Sequence, residues 1–107
     1  MINYKNSKSS TFQESFVISM TQEKKNGFYV ELGSADPYIE SNTFLLESEF
    51  GWTGLAIEID KQVAENYNLS DRKNKCVNAD ALRFDYLSYF KENNFPKTID
   101  FLQIDID

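Results

Sequence analysis

Residues 27–60, GFYVELGSADPYIESNTFLLESEFGWTGLAIEID, contain the pattern that decides the fold. Apolar runs at residues 28–32 and 54–59 are bounded by glycine or by acidic residues, which is typical of short buried strands. Between the two runs, a helix is predicted to begin at Ser41 or Asn42, because both side chains are good helix caps. A strand, a helix and a second strand in this order predict a parallel pair joined by a right-handed crossover.

The alternating pattern continues on both sides of this stretch. Toward the N-terminus, a capping box from Thr11 to Glu14 and an apolar stripe ending at Met20 predict a helix that stops at Gly27. Toward the C-terminus, helical and extended patterns alternate again. The further predicted elements are a helix over 61–69, a strand over 75–78, a helix over 82–93 and a strand over 99–106. These elements together predict a doubly wound α/β domain.

Composition limits the possible function classes. The 107 residues carry a net charge of −6, contain no histidine and include a single cysteine, Cys76. Internal disulfides, cysteine zinc clusters and histidine-based catalysis are therefore excluded, and the acidic balance argues against nucleic acid as a partner. One domain over residues 11–107 is predicted, after a polar lead segment over 1–10. With no apolar run long enough to span a bilayer, a cytoplasmic protein is the default expectation.

Acidic residues follow every predicted strand. Because the carboxyl ends of parallel strands meet at one edge of the sheet, this edge is the predicted ligand site. At any single strand, an acid is equally consistent with a cap on the following helix. The acidic residues at the strand ends are Glu31, Asp36, Glu58, Asp60, Asp80, Asp105 and Asp107.

The loop after the first strand favours a ligand without phosphate. Gly33 and Ser34 make a small-residue turn, but the dinucleotide pattern GxGxxG and the P-loop sequence are both absent. Glu58 follows Gly33 by 25 residues, the position from which an acid binds a ribose in nucleotide-binding α/β folds. Asp80 is suited to accept a hydrogen bond from an adenine amine. An acidic rim that binds ribose, adenine and a positive charge suits S-adenosyl-L-methionine.

The same residues resemble a known family. The motifs G-F-x-V-E-x-G at 27–33, S-N-T at 41–43, G-W-x-G-x-x-I-E at 51–58 and I-D-F-L-x-I-D at 99–105 are similar to those of FkbM-type S-adenosylmethionine-dependent methyltransferases. The resemblance covers about residues 13–107. It implies a Rossmann-like class I methyltransferase fold with strand order 3-2-1-4 in this part of the sheet, and methyl transfer to oxygen.

The resemblance also implies a role for individual residues. Glu31 and Gly33 would line the methionine part of the cofactor, Asn42 and Thr43 would lie near its carboxylate, Glu58 would bind the ribose, and Asp80 with Ala81 would contact the adenine. Ser34 and Ile59, which follow Gly33 and Glu58, complete the expected cofactor-binding set. Asp105 would close the pocket near the amino group or the acceptor, and Asp105 or Asp107 is the candidate general base.

Family members continue beyond the fourth strand, whereas this chain stops at Asp107. The resemblance therefore implies the cofactor-binding half of the domain, truncated after the fourth strand. The acceptor, a hydroxyl of a small molecule, glycan or lipid, would bind mostly in the other half. The fourth strand is expected to be an open apolar edge that a second chain could complete.

Two further interpretations remain open. The chain could be a non-catalytic interaction module that pairs through the fourth strand, or a metal-dependent glycosyl or nucleotidyl transferase that uses Asp105 and Asp107 as metal ligands. Trp52 is expected to be a packing residue at a turn rather than a ligand-stacking residue. Cys76, at the start of a short strand, is expected in the core, because a nucleophile would need a basic neighbour and none is evident.

Overall fold

A computed structural model describes residues 17, 18, 20–33, 36, 37, 41 and 43–105 of the chain. Strands and helices alternate along these residues. They are β1 (Phe28–Leu32), α1 (Phe44–Phe50), β2 (Thr53–Glu58), α2 (Lys61–Asn68), β3 (Cys76–Asn78), α3 (Tyr86–Glu92) and β4 (Phe101–Ile104). The alternation confirms the predicted α/β class, since each crossover between strands carries a helix.

The four strands form one parallel sheet in the order β3-β2-β1-β4. This order and the Rossmann-like arrangement agree with the prediction. The chain first moves outward from β1 through β2 to β3 and then returns to the other side of β1 as β4. The direction of winding therefore reverses between β1 and β4, the point at which open α/β sheets form a crevice at their carboxyl edge.

One face of the sheet packs against α1 and against Val17 and Ile18. Tyr29 of β1 is buried there with the α1 residue Leu45 and with Trp52. The Trp52 indole nitrogen donates a hydrogen bond to the Lys24 carbonyl over 2.9 Å, so Trp52 is a packing residue, as predicted.

A glycine allows Tyr29 to lie flat over the neighbouring strand. Tyr29 is in register with Gly54 of β2, and a Cβ atom at Gly54 would collide with the Tyr29 ring. The hydroxyl of Tyr29 is thereby directed toward the polar interior beyond β2. Cys76 of β3 is buried on this side with Ala56 and Tyr67, which confirms its expected place in the core.

The other face of the sheet packs against α3 and the segments around it. Phe28, Val30, Leu55 and Ile57 are fully buried at its centre. Edge-to-face and tilted ring pairs extend this core outward, as between Phe28 and Phe90 at 5.7 Å. The aromatic residues that surround the centre are Phe84, Tyr86, Tyr89, Phe90 and Phe95.

β4 is an edge strand, and part of its surface is uncovered. Leu102 and Ile104 are 52% and 58% exposed, and the sheet register places them beside Val30 and Leu32. Leu102 borders a groove of about 880 Å³ between α3 and β4. Other groove-lining residues are Val30, Leu32, Leu87, Phe90, Lys91 and Lys97. The expected open apolar edge is therefore present among the described residues.

The N-terminal helix ends earlier than predicted. Val17, Ile18 and Met20 are helical, but the chain turns directly afterwards, with positive φ values at Gln22 and Glu23. The predicted stop at Gly27 is thus wrong. Met20 was expected in the buried stripe and is instead exposed. The predicted capping box at Thr11 to Glu14 and the lead segment 1–10 lie outside the described residues.

The helix before β4 is shorter than its apolar pattern predicted. The predicted start at Leu82 fails because the Asp80 carboxylate accepts a hydrogen bond from the Leu82 amide over 2.9 Å and forms a turn. Asp85 caps α3 by accepting from the Ser88 amide over 3.1 Å. Leu87 of α3 is exposed and lines the groove.

Candidate functional site

The carboxyl ends of the strands lie level with one another. Leu32 is in register with Ile57 of β2 and with Ile104 of β4. The backbone pairing continues one residue further, because the Gly33 amide donates to the Ile57 carbonyl over 2.8 Å and the Asp105 amide donates to the Leu32 carbonyl over 2.9 Å. These bonds define a row across the sheet edge, made of Asn78, Glu58, Gly33 and Asp105.

Gly33 makes a gap in the middle of this row. Its φ of 85° is in the left-handed region, where a side chain would be strained, and it has no side chain to fill the space. Glu58 and Asp105 stand on its two sides, separated by two strand spacings or about 10 Å. We call the space above Gly33, between Glu58 and Asp105, the Gly33 notch. It lies at the β1–β4 winding reversal, where ligands of open α/β sheets bind.

The β2 side of the notch carries two acids with different roles. Glu58 Oε2 accepts a hydrogen bond from the Asp60 amide over 3.0 Å, which holds the Glu58 side chain close to its own strand end. Asp60 caps α2, because its carboxylate accepts a hydrogen bond from the Val63 amide over 3.1 Å and stabilises the start of the helix. Ile59, between them, is 69% exposed and contributes an apolar surface beside Glu58.

The loop after β3 is tied to the end of β2. The Asn78 side-chain amide donates to the carbonyls of Glu58 and Ile59, each over 3.0 Å. Asp80 follows at half-buried depth, and its carboxylate also lies 3.8 Å from the Arg83 guanidinium. Ala81 packs with the aromatic core around α3, and its carbonyl accepts from the Tyr86 hydroxyl over 2.6 Å.

Glu58, Ile59, Asp80, Ala81, Gly33 and Asp105 therefore all lie at the same edge of the sheet. Asp105 is exposed there, immediately after β4. Ser34, Asn42 and Asp107, which were also predicted to bind cofactor or to act as a base, lie outside the described residues. Within the described part of the chain, no group of three or more acids or cysteines is arranged to hold a metal ion.

Two other predicted site residues are deeply buried behind the notch. Glu31 is 3% exposed, and Thr43 is fully buried. The Thr43 hydroxyl donates to Glu31 Oε1 over 3.1 Å, so the loop before α1 is joined to β1 by these two side chains. Ser41 supports the same segment, because its hydroxyl accepts from the amides of Thr43 and Phe44 over 3.2 and 3.1 Å.

A buried arginine that no sequence pattern indicated connects the elements of this region. Arg72, in the segment between α2 and β3, is 1% exposed and directs its guanidinium into the interior. Its Nε donates to Glu47 Oε2 over 3.0 Å, and its Nη1 donates to the Pro37 carbonyl over 2.7 Å. Nη2 donates to the Tyr29 and Thr43 hydroxyls over 3.2 and 3.0 Å. These contacts connect β1, α1, the loop before α1 and the segment before β3.

The electrostatics of this cluster keep the arginine charged. Burial acts to lower the pKa of Arg72, but Tyr67, Tyr29 and Glu47 around it outweigh that effect and raise the pKa above its usual value. Burial also raises the pKa of Tyr29 to about 12, with Arg72 opposing the shift. The guanidinium further lies 5.0 Å from the ring centre of Tyr67. We call Arg72, Glu47, Tyr29, Thr43 and Glu31 the Arg72 cluster.

Few features of the sequence indicate that Arg72 and its partners are buried together. Residues 71–75, DRKNK, have the composition of a solvated charged loop. A possible signal is Glu47, since it occupies a position among the buried residues Leu45, Leu46 and Phe50 of α1 and needs a partner there. Backbone amides supply part of that partnership, because Lys73 and Asn74 donate to the Glu47 carboxylate over 3.0 and 3.1 Å.

Comparison with protein-family models, curated proteins and solved structures found no match. No helix in the described portion of the chain combines the length and the apolar character needed to cross a membrane.

Proposed function

We propose that the chain forms the S-adenosyl-L-methionine-binding part of a methyltransferase that transfers a methyl group to oxygen. The observation that carries the proposal is the Gly33 notch, with Glu58 on one side and Asp105 on the other at the winding reversal of the sheet. It agrees with the motif resemblance of residues 27–33 and 51–58, which is independent of the geometry.

The chemistry of the notch suits adenosine joined to a cationic group. A carboxylate accepts hydrogen bonds from two adjacent ribose hydroxyls, and Glu58 stands at the strand end from which such an acid acts. Asp80 lies further along the same edge, on the side of β3, where an adenine amine would find an acceptor. Acids on both sides of Gly33 would repel a pyrophosphate and attract a sulfonium or ammonium group.

S-adenosylmethionine supplies an electrophilic sulfonium methyl group when bound. The residues of the chain would then have to orient the ligand, because the transfer depends on alignment with an acceptor oxygen at near-attack distance. Glu58 holds the adenosine end in this proposal, and Gly33 leaves space for the methionine part of the ligand. Asp105, exposed on the opposite side of the notch, is the proposed base that takes the proton from the acceptor hydroxyl.

Isothermal titration of the purified chain with S-adenosylmethionine and S-adenosylhomocysteine tests the proposal. Both ligands are expected to bind, and Glu58→Gln is expected to weaken each by about tenfold, since one hydrogen bond to a charged group is lost. Glu92→Gln, an exposed acid at the end of α3, is the matched control and should leave affinity unchanged. A folded chain that binds neither ligand would contradict the proposal.

The uncovered edge strand supports a second candidate function, an interaction module that pairs with another chain through β4. Leu102 and Ile104 of β4 are exposed, and an edge strand offers backbone groups for pairing with a further strand. Light scattering across a range of concentrations tests this candidate. Association that is abolished by Leu102→Lys and retained in Lys97→Gln would favour it, and a soluble monomer at every concentration would rule out self-pairing.

A further inference from the structure

The Arg72 cluster joins a charge in the interior to the acid at the end of β1. Arg72 carries only hydrogen-bond donors, so the Thr43 hydroxyl must use a lone pair to accept from Nη2. The single hydrogen of that hydroxyl is then left to donate elsewhere, and it points to Glu31 Oε1 over 3.1 Å. The direction of both hydrogen bonds is thus fixed by the arginine.

This arrangement orients Glu31. The bond from Thr43 requires Oε1 to act as an acceptor, so that oxygen is turned toward Thr43 at the start of α1. Arg72 also binds the part of the chain that precedes Thr43. Its Nη1 donates to the Pro37 carbonyl over 2.7 Å and to the Ser41 hydroxyl over 3.3 Å. The loop between β1 and α1 is thereby tied to the segment before β3.

The connection between these segments requires the forked shape of a guanidinium. Nε, Nη1 and Nη2 donate at the same time to Glu47, to the Pro37 carbonyl and to Thr43. A lysine ammonium at this position carries one charge on one nitrogen and would not span all three acceptors.

We infer that Arg72 is a positioning residue which, through Thr43, sets Glu31 for the amino-acid end of the ligand. This inference rests on the proposed function, because it assigns the ammonium group of S-adenosylmethionine or S-adenosylhomocysteine to the Glu31 side of the Gly33 notch. Glu31 lies two residues before Gly33 on β1, and a carboxylate is the natural partner of an ammonium group. The adenosine end is bound elsewhere, at Glu58, and does not depend on Arg72.

The separation of the two ends gives the test. S-adenosylhomocysteine carries the amino-acid end, whereas methylthioadenosine has the same adenosine and sulfur without it. Titration of Arg72→Lys with both ligands is expected to show S-adenosylhomocysteine weakened by about tenfold and methylthioadenosine changed by less than about twofold. Lys73→Gln, which alters the neighbouring exposed cation, is the matched control and should change neither affinity.

A second pair of variants covers the case in which Arg72→Lys does not fold. Thr43→Val keeps the side-chain shape and removes the hydroxyl that links Arg72 to Glu31, so it should reproduce the selective loss. Thr43→Ser restores the hydroxyl and should recover most of the affinity for S-adenosylhomocysteine.

Each other outcome has a definite meaning. Equal weakening of both ligands would show a structural role alone and would overturn the inference, as would unchanged affinity in Arg72→Lys and Thr43→Val. Those results would leave the proposed function intact, because the wild-type chain would still bind both ligands. A folded wild-type chain that binds neither ligand would overturn the proposed function and the inference with it.

Discussion

Arg72 and Glu47 form an ion pair in the interior, with Nε 3.0 Å from Oε2 and with both side chains almost completely buried. Taking two charges out of water is costly, and their attraction offsets that cost only when the remaining donors and acceptors are also satisfied. Here they are, since the guanidinium also donates to Pro37, Tyr29 and Thr43, and the carboxylate accepts from two backbone amides. The pair therefore fixes the position of α1 relative to the segment before β3.

Removing the negative partner should unfold the chain more easily. Glu47→Gln leaves Arg72 charged in a buried place, and breaking a buried pair in this way costs about 3–5 kcal/mol. Denaturant unfolding monitored by circular dichroism measures the change. Glu49→Gln, on the exposed side of the same helix, should change the unfolding free energy by less than about 1 kcal/mol. Equal, small effects from both substitutions would show that the pair does not hold α1 in place.

The two buried tyrosines beside Arg72 should respond oppositely to loss of the hydroxyl. The Tyr29 hydroxyl accepts from Arg72 and Asn74, each over 3.2 Å, whereas the Tyr67 hydroxyl has no hydrogen-bond partner within the described residues. Tyr29→Phe should destabilise the chain by about 1–3 kcal/mol, because the buried Arg72 guanidinium and the half-buried Asn74 amide each lose an acceptor. Tyr67→Phe should be neutral or stabilising, since it removes an unsatisfied polar atom. Thermal unfolding of the two variants side by side decides the matter, and the reverse order of stability would contradict the described bonding.

Asp100 connects the start of β1 to the start of β4, and its protonation should lower the free energy of unfolding. Asp100 accepts from the Lys24 ammonium over 2.7 Å and from the Phe28 amide over 2.9 Å. The bond from Lys24 is the main cause that lowers the Asp100 pKa below its usual 3.8. As the pH falls, the unfolded state therefore binds this proton before the folded state does. The contribution of Asp100 to the free energy of unfolding is present above pH 3.8 and is lost as the pH falls through the lower pKa of the folded state.

Asp100→Asn should remove this part of the acid dependence. Unfolding free energies of the wild-type and variant chains are measured between about pH 2 and pH 6. The difference between them should shrink toward low pH. Lys24→Met should also reduce the pH dependence of the unfolding free energy, because it removes the main cause of the lowered Asp100 pKa. A difference that is constant across the whole range would show that the Asp100 pKa is not lowered by folding.

The ends of β1 and β2 can be predicted from the local sequence, because an apolar run is preceded by a glycine. β1 begins at Phe28 directly after Gly27 and ends at Leu32, as predicted, and β2 is shifted by one residue. The α3 start was predicted four residues too early because the apolar spacing from Leu82 to Phe90 does not reveal the Asp80 turn or the Asp85 cap. Local hydrogen bonds of this kind compete with helix formation and are weakly encoded in hydrophobic periodicity.

One part of the candidate site could be predicted from the sequence and another part could not. The edge position of Glu58, Asp80 and Asp105 follows from strand parity and from the parallel order of the sheet, both of which are readable from the sequence. The Arg72 cluster is not readable from the sequence, because Arg72 and Glu31 are 41 residues apart and are linked through a third residue, Thr43. Nothing local distinguishes a buried arginine in DRKNK from a solvated one.

The most direct test of the proposed site is to follow the backbone amide signals of the chain by nuclear magnetic resonance while S-adenosylhomocysteine is added. The largest shifts are expected at the sheet edge, at Gly33, Glu58, Ile59, Ala81 and Asp105. Amides lining the groove between α3 and β4, such as Leu87 and Leu102, serve as the internal reference and should move little. Shifts confined to that groove, or no shifts at a saturating concentration of ligand, would contradict the placement of the ligand in the Gly33 notch.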